Sequence, residues 1–308
     1  MASLTVPLAG PVDLRLTLSV LRHGGGDPTI RIGPADVWRA TRTAAGLATV
    51  RLRAIDRGSG PTVEAQAWGP GADAALAAVP ALVGEGDPWQ DFRPSHPVVE
   101  RLRRRNPGLR LPRTGAVFEA LLPAILEQKV TGLEAKRAYR GIVARYGEVA
   151  PGPAGPAGMR VPPAPEVLAA LPYHALHRFG VERRRADTVR RAAARAARLE
   201  QACDLAPSAA ARRLMALAGV GAWTAAEVAR VAFGDPDAVS VGDYHLPHQV
   251  AWALAGERRA DDDRMLELLA PFAGHRGRVC RLVELARLGP PRRGPRLPPA
   301  PWTRAAAF

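Results

Sequence analysis

The most constraining feature of the sequence is a pair of helical segments that meet at Gly219-Val220-Gly221. A turn this tight needs a backbone conformation or a close approach that only glycine adopts without strain. Helices are predicted on either side, over 208–217 and 223–233, where small and apolar residues recur at helical spacing. The stretch therefore predicts a hairpin of two helices in the second half of the chain.

The same turn is a candidate anion site. The backbone amides of Gly219, Gly221 and the first turn of the second helix would face a ligand at the positive end of that helix. An ordinary connection between two helices, with glycine at the corner, explains the turn equally well. The turn alone does not decide between a phosphate site and a structural corner.

A carboxylate follows the hairpin at a fixed distance, because Asp243 lies 22 positions after Gly221 (243 − 221). The residues between them suffice for one helix and a loop that returns to the mouth of the hairpin. Asp243 also precedes a helical segment, which is a frequent position for a capping Asp. Two roles are therefore open: a helix cap, or an acidic group that acts on a sugar beside a phosphate-binding hairpin.

The charge of the chain favours a polyanionic partner. Lys and Arg outnumber Asp and Glu by 43 to 29, which gives a formal net charge of +14. Cationic side chains bind nucleic acids because their contacts release counterions from the phosphates. An Arg-rich proteome would give a similar composition, so charge alone identifies no function. Charge and hairpin together make nucleic acid the expected partner.

The cysteines restrict the cofactors that the chain can hold. Cys203 and Cys280 are the only two, so neither a four-cysteine zinc site nor an iron–sulfur cluster is expected. No apolar run reaches the length of a membrane span, and the N-terminus lacks the pattern of a secretory signal. We expect a cytoplasmic, nucleoid-associated protein without a membrane partner, and we expect it to act as a monomer.

The hydrophobic pattern of residues 1–90 predicts an antiparallel sheet. Apolar and polar residues alternate over 12–20, which is the period of a half-buried strand. A helix over 71–83 is expected to cover one face of the sheet. Shorter strand-like runs lie between Gly, Pro and Asp residues, over 30–32, 37–41, 48–55 and 63–68.

Beyond the turn-rich residues 84–97 the apolar pattern becomes helical. The predicted fold class is therefore α+β, with an N-terminal sheet domain at 1–90 and a mainly helical region at 91–288 that contains the hairpin. Residues 148–165 are rich in Pro and Gly and are predicted to form a loop within that region. Residues 289–308 are predicted to be a disordered basic tail.

Local signals refine the helices before the hairpin. Thr131 and Glu134 have the three-residue offset of a capping box. Thr114 is expected to cap the preceding helix. Gln128 and Lys129 would then lie in a tight corner between the two helices.

The residues around the hairpin resemble a known superfamily. The run 217–225 (LAGVGAWTA), followed by Val241-Gly242-Asp243, is similar to the helix–hairpin–helix and Asp signature of the base-excision DNA glycosylases. With the N-terminal sheet, the Trp-Thr-Ala after the second Gly resembles 3-methyladenine DNA glycosylase II, the AlkA type. The resemblance implies a monofunctional N-glycosylase that flips and hydrolytically excises damaged bases, especially alkylated ones, from double-stranded DNA.

The resemblance also implies roles for individual residues. Asp243 matches the catalytic Asp, which would stabilise an oxocarbenium-like sugar and position water. The implied DNA-binding residues are Gly219, Val220, Gly221, Ala222, Thr224, Lys129 and His245. The implied base pocket consists of Gln128, Trp223, Glu227, Tyr244 and His275. No cofactor is required, and a structural Na⁺ or K⁺ would be held by the backbone carbonyls of Met215, Leu217 and Gly219.

Several positions depart from the pattern of the superfamily. Trp223 stands where bifunctional members carry Lys, so a Schiff-base lyase step is not expected and hydrolysis remains. Lys129 stands where relatives place an apolar wedge, so its stem intercalates or its ammonium binds phosphate. Glu227 replaces an aromatic residue, and His275 lies near an expected stacking Trp. His245 is explained equally well as a surface histidine.

Two other functions are compatible with the sequence. A non-catalytic module that senses DNA structure would use the same hairpin and charge, but it would not need Asp243. A glycosylase for oxidised or deaminated bases would keep Asp243 and differ in the residues of its base pocket.

Overall fold

The computed structural model describes residues 1–56 and 60–291 and confirms the α+β class. An antiparallel sheet lies in the N-terminal part, and helices dominate the rest. Most of the predicted tail, residues 292–308, lies outside the described residues. None of the helices within the described ranges is long and apolar enough to cross a membrane.

The sheet has five strands in the order β1-β5-β4-β3-β2, and all neighbouring strands are antiparallel. Alternate residues of β5, such as Val63 and Ala65, are buried, as expected for a strand with one covered face. The strands are β1 Ala2–Pro7, β2 Ile30–Ile32, β3 Val37–Thr43, β4 Gly46–Asp56 and β5 Pro61–Trp68. The helices α2 Ala72–Ala77 and α3 Val79–Leu82 cover the sheet where one helix was predicted.

The strand predicted over 12–20 is wrong. Helix α1, Leu14–Leu18, occupies this stretch, and Asp13 caps it by accepting hydrogen bonds from two backbone amides at 2.9 and 3.0 Å. Leu14, Leu18 and Leu21 are buried at intervals of four and three residues, which is a helical spacing, and Leu14 and Leu18 also belong to the alternation. The edge strand that the alternation pattern missed is β1.

Eleven further helices follow in the described part of the chain: α4 Pro97–Arg105, α5 Val117–Leu126, α6 Gly132–Tyr146, α7 Pro165–Ala170, α8 Arg183–Ala193, α9 Ala196–Glu200, α10 Pro207–Met215, α11 Ala222–Val228, α12 Leu246–Ala255, α13 Asp262–Leu269 and α14 Arg276–Leu285. A π-helical turn, Ala229–Phe233, extends α11. The helices bury their apolar faces in two clusters: one lies between 117 and 232, and the other joins residues 92–109 to residues 246–283.

The starts of α5 and α6 test the two capping predictions. The capping box of Thr131 and Glu134 is confirmed at α6. The Thr114 cap is wrong: Thr114 precedes the helix start, and Glu200 accepts hydrogen bonds from the amides of Val117 and Phe118, both at 2.8 Å. Burial raises the pKa of this Glu200 carboxyl above its usual range.

The Pro/Gly-rich residues 148–165 are more ordered than the loop predicted there. Two short strands, β6 Glu148–Val149 and β7 Arg160–Val161, pair as an antiparallel hairpin. Between them, Ala150 and Met159 are buried against the partly buried Trp38 of the sheet. Small apolar residues among the prolines therefore give this segment a core of its own.

Candidate active site around Asp243

The turn between α10 and α11 needs its first glycine and not its second. Gly219 has φ +96°, and a Cβ there would overlap the hydroxyl of Thr188. Gly221 has φ −104°, with open space where a Cβ would lie. Gly219, Gly221 and Ala222 are exposed, whereas the side chains of Val220 and Thr224 are buried. The exposed face of the turn is therefore largely backbone, which suits a phosphate.

The corner between α5 and α6 is bonded directly to this turn. The Gln128 side-chain amide donates to the Gly219 carbonyl and to the Thr224 hydroxyl, both at 2.9 Å. Lys129, the next residue, is exposed and has φ +54°, a conformation that L-residues other than Asn and Asp seldom adopt. The hydrogen bonds of Gln128 thus join the α5–α6 corner, which also carries Lys129, to the hairpin.

Both carboxylate oxygens of Asp243 accept hydrogen bonds from neighbouring residues. Its Oδ1 accepts hydrogen bonds from the backbone amides of His245 and Leu246, at 2.7 and 2.8 Å, which caps the start of α12. Its Oδ2 accepts from the indole Nε1 of Trp223 at 3.1 Å. The side chain remains partly exposed. The carboxylate is therefore held in one orientation at the end of the hairpin and is still accessible.

Two further predicted residues lie on the surface beside Asp243. Tyr244 is 81% exposed, and its ring lies edge-on to His245, with the ring centroids 4.9 Å apart. His245 is also exposed. Neither lines the cavity between the N-terminal domain and the helices, so both belong to the outer surface of the site.

A cavity of about 160 Å³ lies between the N-terminal domain and the helices. On the hairpin side it is lined by Glu227, which is four residues after Trp223 and therefore one helical turn away, about 6 Å along the axis. Across it, His23 Nδ1 lies 3.7 Å from Glu127 Oε1. The rest of the lining includes the charged residues Arg22, Arg39, Glu119 and Lys136 and the apolar residues Val20, Leu21, Ile30, Ala120, Pro123, Ala124, Tyr139 and Val231.

Sequence reasoning missed His23 and Glu127. His23 belongs to a glycine-rich turn of the N-terminal domain, and Glu127 precedes Gln128 at the α5–α6 corner. Their contact joins residues over one hundred positions apart, and no local pattern signals it. Of the five residues predicted to form a base pocket, only Glu227 lines this cavity. Gln128 and Trp223 do not line it, but each is near a lining residue in sequence: Gln128 follows Glu127, and Trp223 precedes Glu227 by four residues.

The structure places His275 away from this cavity. Its ring packs on Phe92, with the centroids 5.1 Å apart, and Arg278 Nε lies 3.3 Å from its Nδ1. Burial and the neighbouring Arg278 lower the pKa of the imidazole. His275 therefore belongs to the contact between α14 and the segment before α4.

Two of the three carbonyls predicted to hold a monovalent cation also accept hydrogen bonds within the protein. The Gly219 carbonyl already accepts the Gln128 amide, and the Leu217 carbonyl accepts the Val220 amide at 2.9 Å. The guanidinium of Arg191 donates to the adjacent Ala218 carbonyl at 3.2 Å, which places a fixed positive charge beside the turn. Within 1–56 and 60–291 no cluster of His, Cys, Asp and Glu is arranged to hold a metal ion.

The fold of the chain is similar to that of solved DNA glycosylases. The 3-methyladenine DNA glycosylase of Archaeoglobus fulgidus superposes with a TM-score of 0.76 at 18% identity, over 92% of this chain and 98% of that one. MBOgg1 bound to a low-affinity DNA ligand gives 0.70 at 16% identity, over 92% and 94%.

A third solved structure shares the fold. The Clostridium acetobutylicum 8-oxoguanine glycosylase/lyase in complex with double-stranded DNA gives a TM-score of 0.67 at 14% identity, over 92% of this chain and 95% of that one. No protein-family sequence profile matches the chain, and a search of curated protein sequences finds no match. The similarity to known proteins therefore resides in the fold.

Proposed function

We propose that the protein is a monofunctional DNA N-glycosylase that excises damaged bases, alkylated bases in particular, from double-stranded DNA. The observation that carries the proposal is the carboxylate of Asp243, fixed by Trp223 and by the start of α12 at the end of the hairpin. A non-catalytic binding module would not need an accessible carboxylate in that place.

The chemistry follows from the groups around Asp243. Cleavage of the N-glycosidic bond leaves the bonding electrons with the base and develops positive charge on the sugar, which a nearby carboxylate stabilises. Water then bonds to C1′ and releases a proton, for which Asp243 is the available base. The residue packed on Asp243 is Trp223, whose indole supplies no amine to attack C1′. Hydrolysis without strand cleavage is the expected outcome.

DNA would be held on the exposed backbone of the Gly219–Gly221 turn, with Lys129 beside it at the corner. Flipping a base costs a few kcal/mol, and least for a damaged or mispaired base, so selection begins before the chemistry. The flipped base would enter the cavity next to Glu227. The outward-facing Tyr244 and His245 would lie along the DNA strand.

The preference for alkylated bases within this proposal rests on the Trp-Thr-Ala resemblance after the second glycine and on the fold shared with a 3-methyladenine DNA glycosylase. Purines alkylated at N3 or N7 already carry positive charge and leave readily, so a single carboxylate at the sugar suffices for their release. The second candidate is a glycosylase for oxidised or deaminated bases. It is favoured by the shared fold with 8-oxoguanine glycosylases.

One panel of substrates tests the proposal. Duplexes that contain methylated purines, hypoxanthine, uracil or 8-oxoguanine are incubated with the protein, and abasic sites are then cleaved with alkali. We expect release of methylated purines, and no strand cleavage when alkali is omitted. Release of 8-oxoguanine or of deaminated bases alone would support the second candidate. Release of no base would leave a non-catalytic DNA-binding module.

A further inference from the structure

Glu227 is bonded to the segment that carries Asp243. The hydroxyl of Ser240 donates to Glu227 Oε1, and the guanidinium of Arg230 donates to the same oxygen at 2.9 Å. Ser240 is almost fully buried, with 1% of its surface exposed, and it does not line the cavity. Its contact with Glu227 therefore joins the second hairpin helix to the loop before α12.

A second hydrogen bond, between backbone groups, links Ser240 to Asp243. The Ser240 carbonyl accepts the Asp243 amide at 3.2 Å and closes a tight turn in which Gly242 has φ +90°. From the opposite side, Asp262 Oδ2 accepts the Gly242 amide at 3.0 Å. The position of the Asp243 backbone therefore depends on anchors at Glu227 and Asp262, while Trp223 holds only the tip of its side chain.

The Glu227 anchor belongs to a partly buried network of charges. Arg230 lies between two carboxylates, that of Glu227 and that of Glu284, which approaches it to 2.6 Å. Burial opposes charge on Arg230, but the two carboxylates outweigh it and raise the pKa of the guanidinium. Glu284 also pairs with Arg281, which donates to the Ser19 hydroxyl at 2.5 Å. One end of this network holds the Asp243 loop, and the other end holds α1.

We infer that Glu227 and Ser240 are positioning residues, which hold the Asp243 carboxylate in its reactive orientation. The catalytic part of this inference rests on the proposed function, since it assumes that Asp243 acts on the sugar. The competing role for Glu227 is direct reading of the flipped base, because its side chain also lines the cavity. Ser240→Ala separates the two roles, since it cuts the bond and leaves the lining of the cavity intact.

The first test compares single-turnover excision of a methylated purine with affinity for DNA that contains an abasic site. We expect Ser240→Ala and Glu227→Gln each to slow excision by about 10- to 100-fold, the effect of a small misplacement of a reacting group. The dissociation constant for abasic DNA and the ratio of rates on different bases should stay unchanged. The double variant should excise no more slowly than the slower of the two single variants, because both changes remove the same hydrogen bond between Ser240 and Glu227.

Ser19→Ala is the matched control, since it removes a hydroxyl from the far end of the same network. It should excise at the rate of the unaltered protein. A Ser240→Ala variant with normal excision, or a Glu227→Gln variant that changes only the ratio between bases, would overturn the inference and assign Glu227 to base reading.

Hydrogen exchange gives a readout that does not depend on activity. In Ser240→Ala and Glu227→Gln, peptides that cover 240–246 should exchange faster, whereas in Ser19→Ala they should not. Unchanged exchange in both site variants would overturn the inference. If the unaltered protein released no base, the proposed function would fail, and the exchange data would still show whether Glu227 and Ser240 hold this segment.

Discussion

Asp243 and Asp87 are both fixed by several hydrogen bonds, but their partners differ. Asp87 forms an ion pair with Arg278, the two side chains are 1% and 3% exposed, and Asp87 also accepts the Leu111 amide at 2.9 Å. Asp243 is held by an indole and two backbone amides and remains partly exposed. It has no ion-pair partner in the described ranges.

The difference separates a structural carboxylate from one available for chemistry. The Arg278 guanidinium neutralises the charge of Asp87, and the pair joins α14 to the segment before α4. Because the pair is neutral and buried, Asp87 is not available to bind a ligand. Neutral donors orient Asp243 without cancelling its charge. Its negative charge is therefore available to a cationic transition state.

Substituting Asp243 tests the catalytic side of this comparison and should have the largest effect. Asp243→Asn should reduce base excision by about 100- to 1,000-fold, because the charge opposite the sugar is lost. The folded state should lose little stability, since Asn also accepts hydrogen bonds at a helix start. Single-turnover excision and thermal unfolding measure the two effects. An Asp243→Asn variant that excises normally would remove Asp243 from the mechanism.

Substituting Asp87 tests the structural side. Asp87→Asn leaves the Arg278 guanidinium buried without its counter-ion, and we expect it to lower the free energy of unfolding by about 3–5 kcal/mol. Excision by the fraction that remains folded should be nearly normal. Urea unfolding, with excision assayed below the transition, checks both. Normal stability with impaired excision would contradict the separation of roles.

The two glycines of the hairpin allow a similar contrast. Gly219→Ala combines a left-handed backbone with an overlap on Thr188, and we expect a loss of about 1–3 kcal/mol in stability. Gly221→Ala should leave stability unchanged, because its φ suits any residue and the space beside it is open. The Gly221→Ala methyl group would instead weaken DNA binding by covering the exposed turn. Equal unfolding midpoints for the two variants would refute this contrast.

The smallest expected effect concerns Lys129. Replacing it with Met keeps the aliphatic stem and removes the charge. If its ammonium binds a phosphate, as its exposure favours, Lys129→Met should lower the slope of log Kd against log salt by about 0.9. Binding titrations at several salt concentrations measure this slope. An unchanged slope would instead indicate that the stem acts as an intercalating wedge.

The parts of the fold that the sequence predicted correctly depend on local patterns. The hairpin helices, the α6 capping box and most of the sheet strands follow from spacing within a few residues. The strand predicted over 12–20 was wrong because the alternating leucines of this stretch are compatible with a helix as well as with a strand. The hydrogen bonds that Asp13 accepts at the helix start favour the helix.

The parts that sequence reasoning missed depend on distant contacts. Glu200 caps a helix that starts more than eighty residues earlier, and His23 meets Glu127 only after the two domains pack. For the site, the sequence pointed to Asp243 and Trp223, but their hydrogen bond and the anchor of Glu227 on Ser240 require the folded loop. Pairing across loops leaves no periodic signal in a single sequence.

The double hydrogen bond of Gln128 has a mechanical consequence. Because one amide is bonded to both the Gly219 carbonyl and the Thr224 hydroxyl, the α5–α6 corner and the hairpin form one stiff block. The separation between Lys129 and the turn is then set by the protein before any DNA arrives. A duplex that contacts both has to match that separation, so the elastic cost of distortion falls on the DNA, and flexible base steps at a lesion would lower it.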